Sequence, residues 1–181
     1  LLYGKKEILD KLPNQNHEFL EGDVPYTLNP GGPNHEELSC LVGVYEYFNN
    51  LFQHHFPGED GSVREKIEKV NELINKHEQE IANPLLKYIN SRDDIKLIGK
   101  NKIENKNRAP TIAFTMNNKS SKELSSDLVK QGIATRNDNF YAWRCLKALG
   151  IDVDDGVVRT SMVHYNTHED VNNLIEALKK I

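Results

Sequence analysis

Val157-Val158-Arg159-Thr160-Ser161-Met162-Val163-His164-Tyr165-Asn166-Thr167-His168-Glu169-Asp170-Val171 reads as a strand, a tight cap and the start of a final helix. Val157 to Tyr165 is rich in β-branched and aromatic residues, yet carries one cation, Arg159, where a buried strand normally carries none. Thr167 is suited to helix N-capping, Asp170 three residues on completes a near match to the capping box, and Leu174, Leu178 and Ile181 then recur at helical spacing. Arg159 is the first candidate for function. A guanidinium on a rigid strand offers a planar fork of donors that fits a carboxylate, whereas Asp154 or Asp155 just upstream offers an ordinary ion pair. Spacing alone leaves both readings open.

Working outward, Ile95–Ile98 reads as a short strand, Lys100–Arg108 as an Asn/Lys-rich connection and Pro110–Met116 as a second strand. Ser120–Gln131 reads as a helix with Leu124, Leu128 and Val129 inward and Gly132 as its stop. Ile133–Thr135 is expected to be a third strand. The Asn137-Asp138-Asn139 turn should start a helix from Phe140 to Leu149, ended by Gly150. Residues 94–181 are therefore expected to form a small α+β domain: about four short, mostly antiparallel strands with helices on one face.

The first half has a different grain. Lys5–Leu12 carries a short helical pattern stopped by Pro13, and Asn14–Gly32 is a long polar loop, a length seldom idle in a compact domain. Asn34 reads as an N-cap, with Glu37 completing a capping box, for a helix from His35. Its stripe of Leu38, Leu41, Val42, Tyr45, Phe48, Leu51 and Phe52 predicts one heavily buried side. A second long helix is expected from about Ser62 to Ile89, kinked or broken near Pro84. These helices, residues 34–93, read as connectors, and residues 1–33 as the end of a larger domain with its loop. Leu1-Leu2-Tyr3 looks like the last part of a strand whose sheet lies upstream, so the chain is expected to be a piece of a longer protein.

Charge narrows the function classes. The 27 acidic and 23 basic residues are mixed along the chain and leave a net charge of -4, so no basic face for nucleic acid is implied. No run approaches the roughly 20 apolar residues that cross a bilayer, so no membrane association is expected. Cys40 and Cys145 are too few for a disulfide framework, which fits a cytoplasmic protein, and both are expected to be buried, inert thiols.

Other motifs are weaker. Gly31-Gly32-Pro33-Asn34 before a helix could form an anion nest of backbone N–H groups, or simply a turn. His54 and His55 are adjacent, so on a helix they diverge by about 100°. His164 and His168 straddle the strand-to-helix turn without a completing Cys or carboxylate set, and no metal site is expected.

Taken together these stretches resemble the class V aminotransferase group of pyridoxal-phosphate enzymes, which includes cysteine desulfurases. The resemblance is carried by Arg159–Thr167, by Pro30-Gly31-Gly32-Pro33-Asn34-His35-Glu36 and by Leu2-Tyr3-Gly4-Lys5, with Arg108-Ala109-Pro110-Thr111 and Gly132-Ile133-Ala134 leading to Asn139-Phe140-Tyr141-Ala142 similar to a desulfurase-like branch. It implies the C-terminal portion of a fold type I enzyme, with a homodimer and an amino-acid substrate. In such a parent, pyridoxal 5'-phosphate is the cofactor, and the lysine that holds it lies before the position of Leu1. This chain alone is then expected to bind no cofactor, to contain no catalytic residue and to show no turnover. Arg159 matches the family arginine that holds the substrate α-carboxylate. Gly31 and Gly32 match a Gly-Thr pair at the cofactor phosphate of the neighbouring subunit, with the threonine hydroxyl lost at Gly32. Desulfurases carry a nucleophilic cysteine on the loop that here reads Arg136-Asn137-Asp138-Asn139-Phe140-Tyr141, so Asn139 and Tyr141 are expected to face substrate instead. A lyase, a transaminase or an epimerase all stay open. So does a non-catalytic binding or interaction module built on the same fold.

Overall fold

The computed structural model describes residues 3–23, 26–29, 31–104 and 108–181. Leu1 and Leu2, read as the end of a strand, lie outside the described residues, as do Pro30 of the glycine turn and residues 105–107 of the Asn/Lys connection. The chain divides into two compact units, Leu1–Ile67 and Glu68–Ile181.

In the first unit α1 covers Lys6–Leu9, shorter than the Lys5–Leu12 pattern, because one amphipathic turn with nothing buried has little to hold it. The long loop is tied across its waist: Gln15 N–H donates to Thr27 O at 2.8 Å and the Asn16 amide to Tyr26 O at 3.0 Å. α2 runs His35–His55, with Asn34 Oδ1 accepting the Glu37 N–H at 3.0 Å, the forward half of the expected box. The buried stripe expected on α2 is a correction. Phe52 is the buried residue, while Leu38, Leu41, Val42 and Tyr45 are exposed, since nothing within this unit covers them.

α3, Val63–Asn90, begins in the first unit and runs into the second as one helix of 28 residues. Pro84 sits inside it without ending it, although its ring removes the donor for the carbonyl four residues back. The C-terminal half buries Ile81, Ala82, Leu85, Leu86 and Ile89 in the core it shares with the sheet. Asn83 holds the following segment by a reciprocal pair, its amide to Ile103 O at 3.1 Å and Ile103 N–H to its Oδ1 at 2.9 Å.

Four strands follow: β1 Ile95–Ile98, β2 Thr111–Met116, β3 Arg136–Asp138 and β4 Val157–Ser161, ordered β1-β2-β4-β3 and all antiparallel. Three helices complete the unit: α4 Ser121–Lys130, α5 Trp143–Ala148 and α6 His168–Lys179. Alternation along β2 and β4 sends Ile112, Phe114, Met116, Val158 and Thr160 to one face. There they meet Leu124 and Leu128 of α4, Leu174 and Leu178 of α6 and the end of α3 in one core. This is the expected α+β class.

Three boundaries differ from expectation. Ile133–Thr135 is not a strand; β3 begins at Arg136, because the ladder forms where the chain comes alongside β4, Arg136 against Arg159 and Asp138 against Val157. The helix expected from Phe140 starts at Trp143, since Phe140 and Tyr141 sit in the left-handed region at φ 52° and 60°. β4 stops at Ser161 rather than Tyr165, where the chain turns into the α6 cap.

Both caps on the sheet's covering helices are reciprocal boxes, Ser120 with Glu123 and Thr167 with Asp170. The hydroxyl of Ser120, then its N–H, holds the Glu123 carboxyl below its usual value, and the Thr167 N–H, then its hydroxyl, does the same for Asp170. A carboxyl depressed in the folded state contributes stability that is present above its unfolded pKa and is lost as pH falls through the folded one. Stability should therefore drop as pH descends from the ordinary carboxylate range of 4.5 and 3.8. Thr167→Ala should lower stability at neutral pH by about 1 kcal/mol and flatten that acid limb, read as urea midpoints across pH.

Candidate functional site

β4 is the strand from which the site is built. It is paired on both edges, so its alternation is fixed: Val158 and Thr160 turn to the core and Arg159 to the open face, half-buried. In register, Arg159 lies between Ala113 of β2 and Arg136 of β3.

The loop after β3 shapes what stands over that arginine. Gly156, at φ +73°, starts the return into β4, and a Cβ placed there would lie 2.3 Å from the Asp138 carbonyl and 2.6 Å from Asn139 N. The two backbones therefore touch where only glycine fits. Asn139 locks the loop from inside, its Oδ1 accepting the Tyr141 N–H at 3.0 Å and its amide donating to Val153 O at 3.2 Å. That lock coincides with the left-handed pair Phe140 and Tyr141. Non-glycine residues in this region cost on the order of 1–3 kcal/mol each. The outcome is that the Phe140 ring lies against the Arg159 guanidinium, its centroid 3.9 Å from Cζ.

Of the two readings of Arg159, the upstream ion pair is not formed. The Asp155 carboxylate accepts the Ser121 N–H at 2.8 and 3.1 Å at the start of α4, and no salt bridge joins Asp154 to Arg159 among the described residues. Arg159 instead has its flat face on an aromatic ring and its N–H edge unused among the described residues. No buried side-chain polar atom there lacks a partner, so those donors are open to solvent. The arrangement can receive a planar anion edge-on.

The other expected positions are spread out. Asn139 lies in the loop that carries Phe140 to Arg159, but its amide is committed at both ends to that loop, while Tyr141 is fully exposed at the loop tip. Gly31 and Gly32 lie in the first unit, exposed, and a Cβ at either would meet nothing within 4 Å. Both cysteines are a correction: Cys145 and Cys40 are exposed. α5 points Leu146 inward, and Cys145, one step round a six-residue helix, faces away. Among the described residues no group of three or more His, Cys, Asp or Glu could hold a metal.

Phe140 and Arg136 were not readable as site residues. Phe140 looked like the first residue of a helix, and Arg136 lay outside the expected strand. The His77 ring nitrogen lies 2.8 Å from Asn166 O and so braces the turn that caps α6. Next to it, burial pushes the Glu78 carboxyl up against the opposing pull of His164 and His77. A separate cavity of about 280 Å³ lies beside that turn, lined by Thr135, Thr160, Ser161, Asn166 and Asp170 among others, but Arg159 does not line it.

Comparison with known proteins places this fold. The family described as aminotransferase class-V matches residues 65–174. The chain belongs to the class V aminotransferase family. It is 29% identical to the aminotransferase-like protein FGM3 of Gibberella zeae over its whole length, and 25% identical to a cysteine desulfurase of Synechococcus elongatus. It spans 42% and 27% of the length of these two curated relatives. Among solved structures, 98% of the chain superimposes on 41% of the cysteine desulfurase CsdA from Escherichia coli, with a TM-score of 0.67 at 21% identity. A second, the cysteine desulfurase of Thermococcus onnurineus, matches 65% of the chain with a TM-score of 0.53 at 20% identity. The family is one of pyridoxal-phosphate enzymes, and the α+β architecture is the one its members share.

The contact at Gly156 yields a direct test. Gly156→Ala should destabilise the chain by more than the about 1 kcal/mol of a left-handed alanine, because the new methyl also displaces the Asp138 carbonyl. A urea midpoint within error of the parent protein would show that the two backbones separate freely.

Proposed function

We propose that this chain is the substrate-carboxylate portion of a pyridoxal-phosphate enzyme acting on an amino acid, with Arg159 as the α-carboxylate anchor. The observation that carries the reading is the guanidinium itself. It is held flat on Phe140, half-buried on a rigid strand, with no acidic partner among the described residues and its donors accessible. A structural arginine would be expected to satisfy those donors internally, as Arg92 does with both oxygens of Asp94 at 2.6 and 2.7 Å.

The residues fit the cofactor only in part. When bound, pyridoxal phosphate supplies the electron sink for chemistry at the substrate's α-carbon. The lysine that holds such a group sits in a desolvated pocket, and no described lysine is buried; Lys66 and Lys119 are half-buried and pair with Asp60 and Asp127. The aldehyde-binding role is thus proposed for a preceding domain of a longer protein, in keeping with the share of the relatives that this chain spans. Within that protein residues 1–33 end the large domain, 34–93 connect and 94–181 form the small domain. Gly31 and Gly32 are proposed to meet the phosphate of a partner subunit's cofactor through backbone N–H groups, which their open surroundings permit. This makes the enzyme a homodimer, and two free, exposed cysteines are in keeping with a cytoplasmic setting. Arg159 orients the carboxylate, Asn139 keeps Phe140 under it, and Tyr141 flanks the entrance. No thiol occupies the Arg136–Tyr141 loop, so the reading favours a lyase or transaminase over persulfide chemistry.

Two outcomes test this. In the longer protein Arg159→Ala should raise KM and lower kcat/KM by roughly 10- to 150-fold, the loss of one charge-assisted carboxylate contact, and unchanged kinetics would remove the role. The 181-residue chain, supplied with pyridoxal phosphate and amino acids, should form no product; cofactor-dependent lyase or transaminase turnover by it would overturn the division of labour. If Arg159→Ala left an intact longer protein fully active in partner binding while no amino acid was ever turned over, the non-catalytic module would be the better account.

A further inference from the structure

We infer that the amino acid bound here carries a second carboxylate, held by Arg136 across the strand pair from Arg159. The inference rests on the reading of Arg159 as carboxylate anchor and narrows its substrate to the dicarboxylic class.

Arg136 and Arg159 are direct cross-strand partners. Residues so placed share a face of the sheet with their Cβ atoms about 5 Å apart, and like charges in that relation are destabilising. A sheet that serves only itself would place an acid in the row, and this one does not. The third residue of the row is Ala113, whose methyl leaves the space beside Arg159 open. Asp138 lies two residues along the same face from Arg136, but its Oδ1 takes the Asn139 N–H at 2.6 Å. Asp155 is bound to Ser121. Neither arginine has a hydrogen-bonding or ionic partner among the described residues.

The two differ in a way that fits sequential capture. Arg159 is immobilised on Phe140 and half-buried, whereas Arg136 is exposed at the sheet edge, and a long side chain there can close over a ligand. A ligand with one carboxylate neutralises one guanidinium and leaves its neighbour without a partner. A short dicarboxylate relieves both charges and forms charge-assisted bonds with each.

Nitrogen-edited NMR of the arginine Nε–Hε groups in the 181-residue chain distinguishes these cases, with succinate and butyrate as probes of equal carbon count. Succinate should bind about tenfold tighter or more than butyrate, the size of one further charge-assisted contact. Arg136→Gln should abolish that preference while leaving butyrate binding in place. Arg159→Gln should weaken both ligands. Equal affinities in the parent chain, absence of saturable succinate binding, or a preference that survives Arg136→Gln would each overturn the inference. Sulfate binding as tightly as succinate would overturn it too, since charge rather than the spacing of two carboxylates would then be recognised. Arg159→Gln leaving both ligands unaffected would instead remove the underlying anchor reading, an outcome separate from the others.

Discussion

Burying a guanidinium without a partner costs several kcal/mol, and that penalty fixes the register on which everything in the second unit depends. β4 is paired on both sides, so sliding it by one residue against β2 would turn Arg159 into a core made of Ile112, Phe114, Leu124, Leu128 and Leu178 and expose Val158. The observed register does the reverse on both counts, with Val158 fully buried. Hydrophobic burial and charge desolvation therefore select the same arrangement. The arginine that marks the site also enforces the fold that presents it.

Local strain is concentrated where this arginine meets its ring. The left-handed pair Phe140 and Tyr141 is offset by the two Asn139 side-chain bonds and by a cation–π contact worth roughly 0.5–2 kcal/mol. Gly156 permits the close approach that brings the loop into place. Regular structure is abandoned for a few residues only, between β3 and α5, and the ring so delivered fixes the guanidinium plane without using any of its donors. A hydrogen-bonded carboxylate would have held the cation just as firmly and blocked it.

Much of this was legible in the chain. Thr167 with Asp170 announces a helix start because capping is a local matter of side chain and backbone within four residues. Ile95–Ile98 and the apolar alternation of β2 were equally readable, and so was the candidacy of Arg159. What escaped depends on distant partners. Ile133-Ala134-Thr135 has the composition of a strand, yet Arg136-Asn137-Asp138 forms one because β4 is beside it. The positive φ of Phe140 follows from Asn139 and Gly156 acting from opposite ends of an excursion of more than fifteen residues, which no local pattern encodes. Cys145 looked buried because its neighbours are apolar, but a helix of six residues buries Leu146 and little else.

The treatment of the other arginines sharpens the meaning of the pair on the open face. Arg92 forks onto Asp94 and reaches Tyr88 Oη, closing the passage from α3 into β1, and its own pKa rises accordingly. Arg108 donates to the carbonyls of Lys100 and Thr111, stapling the segment before β2 while burial pulls its pKa down. These are cations the fold uses for its own closure, and each has its donors directed at protein oxygens. An exposed cation such as Arg144 is common on any surface and carries no message. Arg159 belongs to neither group: half-buried, oriented and unpaired among the described residues, with a second arginine as its neighbour in the ladder. Desolvation and like-charge repulsion both oppose leaving that row empty, and an anion from outside answers both.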